Sequence, residues 1–530
     1  MIDVLRNAIL VALFATIMTM TAFAQPELVP WEHERSEIDA DLAPVVIPGE
    51  TPIIHQKYYL GERELLGYDP RFMPTGRVAF DRENRPLIRS ADPVVEFSDG
   101  AADGWVQTLR DGRWTGWWLP GVLRAHFPDW TGKFLAGVRS PDTSLLVDGR
   151  GDSWAVFTLF NPGGRRVLMR LPAGAENWES HEIAPSGAFR LEANARGSDA
   201  PPILMQENHG RILLHDIRRA EDGSIRISEG IEISAEQSFL NPSHSGAGPS
   251  AATVGDRTWV TFAGLQPEMD ADGEALPGTP NYVACYDRTT GEVTEPALIG
   301  FGHNPYREDP DNHNAGAIVA DSDGGLHAVI GAHQHHFWYV RSTVEVPLTA
   351  DDWTEPEPLG LRRHYDCGFT YVALAIDDDD TLHLVGRNMG RGVDGEGRPL
   401  PPDETNHDDM TRTLDYLRAE RGPDGSWEWE EMGPLLVSFH RGYSIFYHKL
   451  SIDRLGRLFL TYYLYVAQLT DEMAEAYMQK WPDETLTRAE NGTWSGIRPH
   501  DPVILLSDDG GGSWRIATTE DFEAGVDRGP

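Results

Sequence analysis

The chain has 530 residues, 83 acidic against 45 basic side chains for a formal charge of −38, and two cysteines. With 40% hydrophobic residues and sixteen tryptophans it can fill a large core, which excludes a disordered chain. Two cysteines exclude a disulfide framework and a four-cysteine zinc site. The acidic excess argues against nucleic acid and anionic membranes as partners, and at first sight against any polyanionic substrate.

Residues 1–24 read as a secretory signal peptide: Arg6 supplies the basic end, Ala8 to Ala22 the apolar run, and Ala22-Phe23-Ala24 the small-x-small site before Gln25. A secreted or periplasmic protein cut between Ala24 and Gln25 is expected. No later run reaches the roughly twenty apolar residues of a membrane helix. A Pro- and acid-rich stretch over 25–56 reads as an extended arm.

From residue 57 to 530 the pattern is of many short strands. The exception is Thr470 to Lys480, which opens on a capping Thr and reads as one helix. An apolar run, an Asp- and Gly-rich turn and a second apolar run recur at 78–90, 145–159, 203–216, 252–264, 317–333, 374–388 and 450–464. Tryptophan-bearing outer-strand segments lie between these copies, and Ser507 to Trp514 fits the S-x-D-x-G-x-[ST]-W Asp box. Each copy is a β-hairpin whose turn residues take special backbone angles. Four-stranded sheets repeated radially make a propeller, so the fold expected is all-β: a seven-bladed β-propeller of four-stranded antiparallel sheets.

Such a fold does not by itself assign an activity. Histidines concentrate in the second half of the chain, in blades five to seven, interleaved with Tyr and Arg. His313 enters one hairpin and His333 leaves it, which puts both at one rim. Two imidazoles there suit acid–base work near neutral pH. Tyr371 opens the next hairpin and Arg387 closes it, again at one rim; Asn388 follows. A phenol and a guanidinium together suit proton transfer beside a carboxylate. Arg441 and Tyr443, in His440-Arg441-Gly442-Tyr443, are candidates for a further anion contact. His364 and Cys367, three residues apart, with His448 or His440 from the next blade, are a candidate zinc set. Asp377 to Asp380 is a candidate calcium turn, although turn carboxylates are more often simply solvated. Cys285, in an apolar strand, reads as core.

The segments DNHNAGAIVADSDGGLHAVIGAH and FTYVALAIDDDDTLHLVGRN, and more loosely HKLSIDRLGRLFLTYYLY, resemble the BNR-4 repeat family and within it the seven-bladed ulvan lyases. The likeness covers roughly residues 300–465. It implies a polysaccharide lyase that cleaves an anionic, ulvan-like polymer of sulfated rhamnose and uronate by β-elimination. His313, His333, Tyr371 and Arg387 would form its catalytic centre, and Asn314, Asn388, Arg441 and Tyr443 its substrate contacts. It also implies a structural zinc near the site. Arg387 would neutralise the uronate carboxylate, and His313 and Tyr371 would be the acid–base pair, in either order, with His333 assisting. A monomer is expected. The alternatives are a sialidase-type hydrolase, a rhamnosyl-glucuronate lyase or glycosidase, and a non-catalytic lectin propeller.

Overall fold

The computed structural model describes residues 73–91, 104–130, 134–135, 145–159, 165–183, 187–193, 198–235, 237–240, 248–303, 311–359, 368–388, 411–441, 445–464 and 504–526, with short pieces at 29–30, 45–46, 475, 487–488 and 494–495. The leader over 1–24 and all but one residue of the helix expected over 470–480 lie outside them. The described strands form seven antiparallel sheets of four to six strands, arranged as a seven-bladed β-propeller, and two small two-stranded ribbons.

Each of the seven recurrent segments supplies one hairpin to one blade. In the third blade, Ala188–Glu192 stands ahead of that hairpin as an additional strand. The turn aspartates explain why these segments fold alike. Asp81, Asp148, Asp321, Asp377 and Asp453 each accept, at Oδ1, the backbone N–H four residues on, at 2.8, 3.1, 2.6, 2.7 and 2.9 Å. A short carboxylate thus satisfies the turn's own donors and closes the hairpin.

The blades cohere because strand residues alternate between two faces. In the fourth blade Ala251, Val260 and Ala284 pack towards the third, while Ala252, Trp259 and Cys285 pack towards the fifth. Six apolar clusters fill the gaps between sheets in this way, and the largest joins blades six, seven and one. At roughly 1.5–3 kcal/mol per fully buried large side chain, these layers hold the ring.

The first and last blades are also tied by polar contacts. The Asn84 amide donates to Asp453 Oδ2 and to the Gly525 carbonyl, both at 3.0 Å, and its oxygen accepts from the Arg454 N–H at 2.9 Å. From the expected arm, Val29–Pro30 pairs with the first blade and Val45–Val46 with the last. Among the described residues, no helix is long and apolar enough to cross a membrane.

Two of the clustered histidines belong to the turn rim. His327 donates or accepts between Asp321 Oδ2 (3.2 Å) and Tyr339 Oη (2.7 Å), and His383 between Asp377 Oδ2 (3.1 Å) and Tyr416 Oη (2.7 Å). All four rings are buried, and burial pushes both phenols up. The same Asp–His–Tyr chain in consecutive blades pins each turn to the third strand. Two of the four carboxylates of the candidate calcium turn are engaged too: Asp377 holds its own turn and His383, and Asp380 accepts from the Ser322 N–H and hydroxyl.

Candidate functional site

The opposite rim of blades five to seven carries the candidate site. Asp311 opens it: its side chain caps the short 3-10 turn Asn312–Asn314 by accepting the His313 N–H at 2.9 Å. The same oxygen, Oδ1, lies 2.5 Å from His313 Nδ1, and Oδ2 lies 2.7 Å from His333 Nδ1. The two imidazole rings are 4.5 Å apart, and each side chain is about one-fifth to one-quarter exposed, at 24% for His313 and 22% for His333. Asp311 itself is buried. Burial disfavours its charge, yet the hydrogen bonds from both imidazoles and from the backbone outweigh that and hold the carboxyl well below the usual range.

The blade architecture sets these positions. The Asp311 N–H and the Asn314 amide both donate to Thr279 Oγ1, at 2.9 and 3.0 Å, so the first strand residue of a neighbouring blade's Thr279–Asp287 holds the turn. Gly331 permits the close approach of the chain leading to His333: a Cβ there would stand 2.5 Å from the Ala315 carbonyl. His333–His335 then pairs along Phe369–Ile376 of blade six, with His333 opposite Thr370. Thr370 in turn is opposite Arg387.

The hairpin pattern puts Tyr371 and Arg387 at one rim; in the structure Thr370 is the residue paired with Arg387, and Tyr371 sits in a bulge between Thr370 and Ala373. Its φ is +70°. Tyr447 occupies the corresponding bulge of blade seven with φ +55°, and the two rings lie 5.6 Å apart. Aromatic residues rarely adopt this left-handed region, and bulges of this kind re-aim side chains. The Tyr371 ring is 5.7 Å from that of His313, and the Arg387 guanidinium carbon is 4.3 Å from the Tyr371 centroid. His313, His333, Tyr371 and Arg387 therefore meet in one place, on adjacent blades.

Other expected residues fall differently. Arg387 is only 1% exposed, beneath the tyrosine ring and not at an open surface. Asn314 and Asn388 are buried and turned inward, on Thr279 Oγ1 and on Asp415 Oδ2 at 3.0 Å. Arg441 ends the strand Trp427–Arg441, paired with Thr411; Tyr443, His364 and Cys367 lie outside the described residues. His448 is wholly buried with Nε2 on the Val385 carbonyl at 2.9 Å, and burial pushes it down to about 3, assisted by the charges of Lys449 and Arg387. His448 is thus the one member of the candidate zinc set whose side chain is among those described, and the mechanism below does not run through a metal. Cys285 is buried and free, as its apolar strand implies. The sequence pattern assigns no role to Asp311 or Thr279, and none to Tyr447 beyond its place among the tyrosines that interleave the histidines. The first had a signal, an Asp two residues before a rim histidine, a spacing at which a carboxylate caps the following N–H.

Among curated proteins, none matches the sequence. A PL25 polysaccharide lyase, an ulvan lyase, superposes with a TM-score of 0.41 at 9% identity, over 75% of this chain and 95% of its own. A PL25 ulvan lyase bound to -[GlcA(1-4)Rha3S]- gives 0.39 at 9%, over 80% and 94%. The GH43 BlXynB protein from Bacillus licheniformis gives 0.32 at 12%, over 63% and 56%. Likenesses this distant carry no argument about activity. Residues 281–523, a stretch that contains Asp311, His313, His333, Tyr371 and Arg387, match the family model of a BNR repeat-containing family member, BNR_4.

Proposed function

We propose that this chain is a carbohydrate-active enzyme, a polysaccharide lyase that breaks the bond to O4 of a uronate in an anionic, ulvan-like polymer. One observation carries the reading: two carboxylate-held imidazoles, a phenol and a guanidinium converge within 6 Å ring-to-ring steps on adjacent blades. Elimination needs three things that this set supplies. A base, His313 or Tyr371, takes the C5 proton; the electron pair forms the C4–C5 double bond; the C4–O4 bond breaks, and the other member of the pair protonates O4. His333 stands close enough to His313 to assist either transfer.

The third requirement is positive charge near the negative charge that builds up on the carboxylate. Because Arg387 is buried under Tyr371, it acts in this reading as a fixed field and not as a surface bidentate clamp. The same charge stabilises negative charge developing on the Tyr371 oxygen as its proton leaves. The net charge of −38 does not oppose an anionic substrate, because charges on the outer faces are screened over roughly 10 Å at ordinary salt. Incubation with ulvan while following the ultraviolet absorbance of the unsaturated uronate tests the proposal. A rise supports it; new reducing ends with no rise replace the lyase with a hydrolase. The absence of either on any uronate polymer removes the enzymatic reading.

A further inference from the structure

We propose that Asp311 is the positioning residue of this site: its one carboxylate fixes the tautomer and orientation of both His313 and His333, so that each ring carries its hydrogen on Nδ1 and offers Nε2 as its acceptor. The inference rests on the reading above only for its link to activity; the tautomers themselves are independent of what the substrate is.

The geometry leaves little freedom. The Asp311 side chain is 2% exposed, and its two oxygens are divided between the rings, Oδ1 to His313 at 2.5 Å and Oδ2 to His333 at 2.7 Å. The carboxyl is held in its ionised form, and an ionised carboxylate only accepts. Both Nδ1 atoms are therefore donors, and in the neutral rings Nε2 is the acceptor. Without such a partner an imidazole divides between two tautomers and can turn about its ring bond. Asp311 is itself held from behind, through its N–H on Thr279 Oγ1, by a strand of another blade. This is the orienting role of a carboxylate behind a catalytic histidine, here shared between two rings.

The sharing makes a specific forecast for Asp311→Asn. An amide offers one oxygen and one NH2. Because Oδ1 also accepts the His313 N–H at 2.9 Å, the oxygen stays on the His313 side and the NH2 faces His333. His333 must then accept at Nδ1 and carry its hydrogen on Nε2, while His313 keeps its tautomer.

The experiment is long-range proton–nitrogen NMR of the full chain labelled with nitrogen-15 histidine, with His313→Gln and His333→Gln assigning the two signals. The expected result is Nδ1–H for both rings in the native protein and a switch of His333 alone in Asp311→Asn. In the ulvan assay, kcat for that variant should fall on the order of 10²-fold or more with KM nearly unchanged. Either ring carrying Nε2–H in the native protein overturns the proposal, and this holds even if the variant fails to fold. Loss of both Nδ1–H signals on adding zinc chloride also overturns it, since the three groups would then be metal ligands. Expected tautomers with no absorbance rise on any uronate polymer support the positioning role while removing the lyase reading.

Discussion

The guanidinium carbon of Arg387 lies 4.3 Å from the ring centroid of Tyr371, whose own backbone sits at φ +70°. A left-handed aromatic in a strand costs of order 1–3 kcal/mol and persists only where surroundings impose it. Here the bulge aims the phenol at His313 and lays its face on a buried cation, so the strain coincides with the site.

Removing that cation should therefore impair turnover more than binding. Arg387→Met keeps bulk and loses charge; kcat in the ulvan assay should fall on the order of 10²-fold or more, in the range seen when one preorganised electrostatic group is lost. Steady-state kinetics decide it. A change confined to KM would return Arg387 to the role of a substrate clamp.

The acid–base pair is tested by His313→Ala and Tyr371→Phe. Each should lower kcat by about 10²–10⁴-fold while far-ultraviolet circular dichroism stays native. Full activity in both variants would place the chemistry elsewhere on the propeller.

The turn-rim histidines make the opposite forecast. His383→Ala leaves Asp377 Oδ2 and the Tyr416 hydroxyl without their buried link and opens a cavity. Chemical denaturation should show a loss of about 2–4 kcal/mol, with the kinetics of the remaining folded enzyme unchanged. A stability change below about 0.5 kcal/mol would contradict the pinning role.

Asp311 also sets a pH dependence. Its folded-state value lies below that of an unfolded aspartate, so its contribution to stability is complete above the ordinary carboxylate range, near 3.9. It is lost as pH falls through the lower folded value. Thermal melting followed between about pH 5 and 2 should fall more steeply for the native protein than for Asp311→Asn. Parallel curves would mean that the carboxyl is not held ionised.

How much of this was legible beforehand differs between fold and site. The seven Asp- and Gly-bearing hairpins were visible because turn chemistry and strand alternation are local: Asp321 needs only the N–H of Gly325 to close its turn. The blade number and the opposite sheet faces taken by the buried Trp259 and Val260 follow from that periodicity. The grouping of His313, His333, Tyr371 and Arg387 at one rim was legible for the same reason, since strand length alone decides which end a residue reaches.

Contacts between blades were not legible, because they depend on how sheets stack and where a strand gains a residue. The bulge at Tyr371 takes the residue out of the strand register and sets its ring over Arg387. The crossing of His333–His335 onto blade six, and the grip of Thr279 on Asp311, join residues from different sheets. His327 and His383 show the converse: chemically they match a catalytic histidine, and only the third strand's tyrosines make them structural. By itself the sequence determined the propeller, its acidic exterior and the rim on which reactive side chains gather. Tertiary structure decided which of those side chains touch, because a carboxylate shared by two rings is a property of packing distance and not of spacing along the chain.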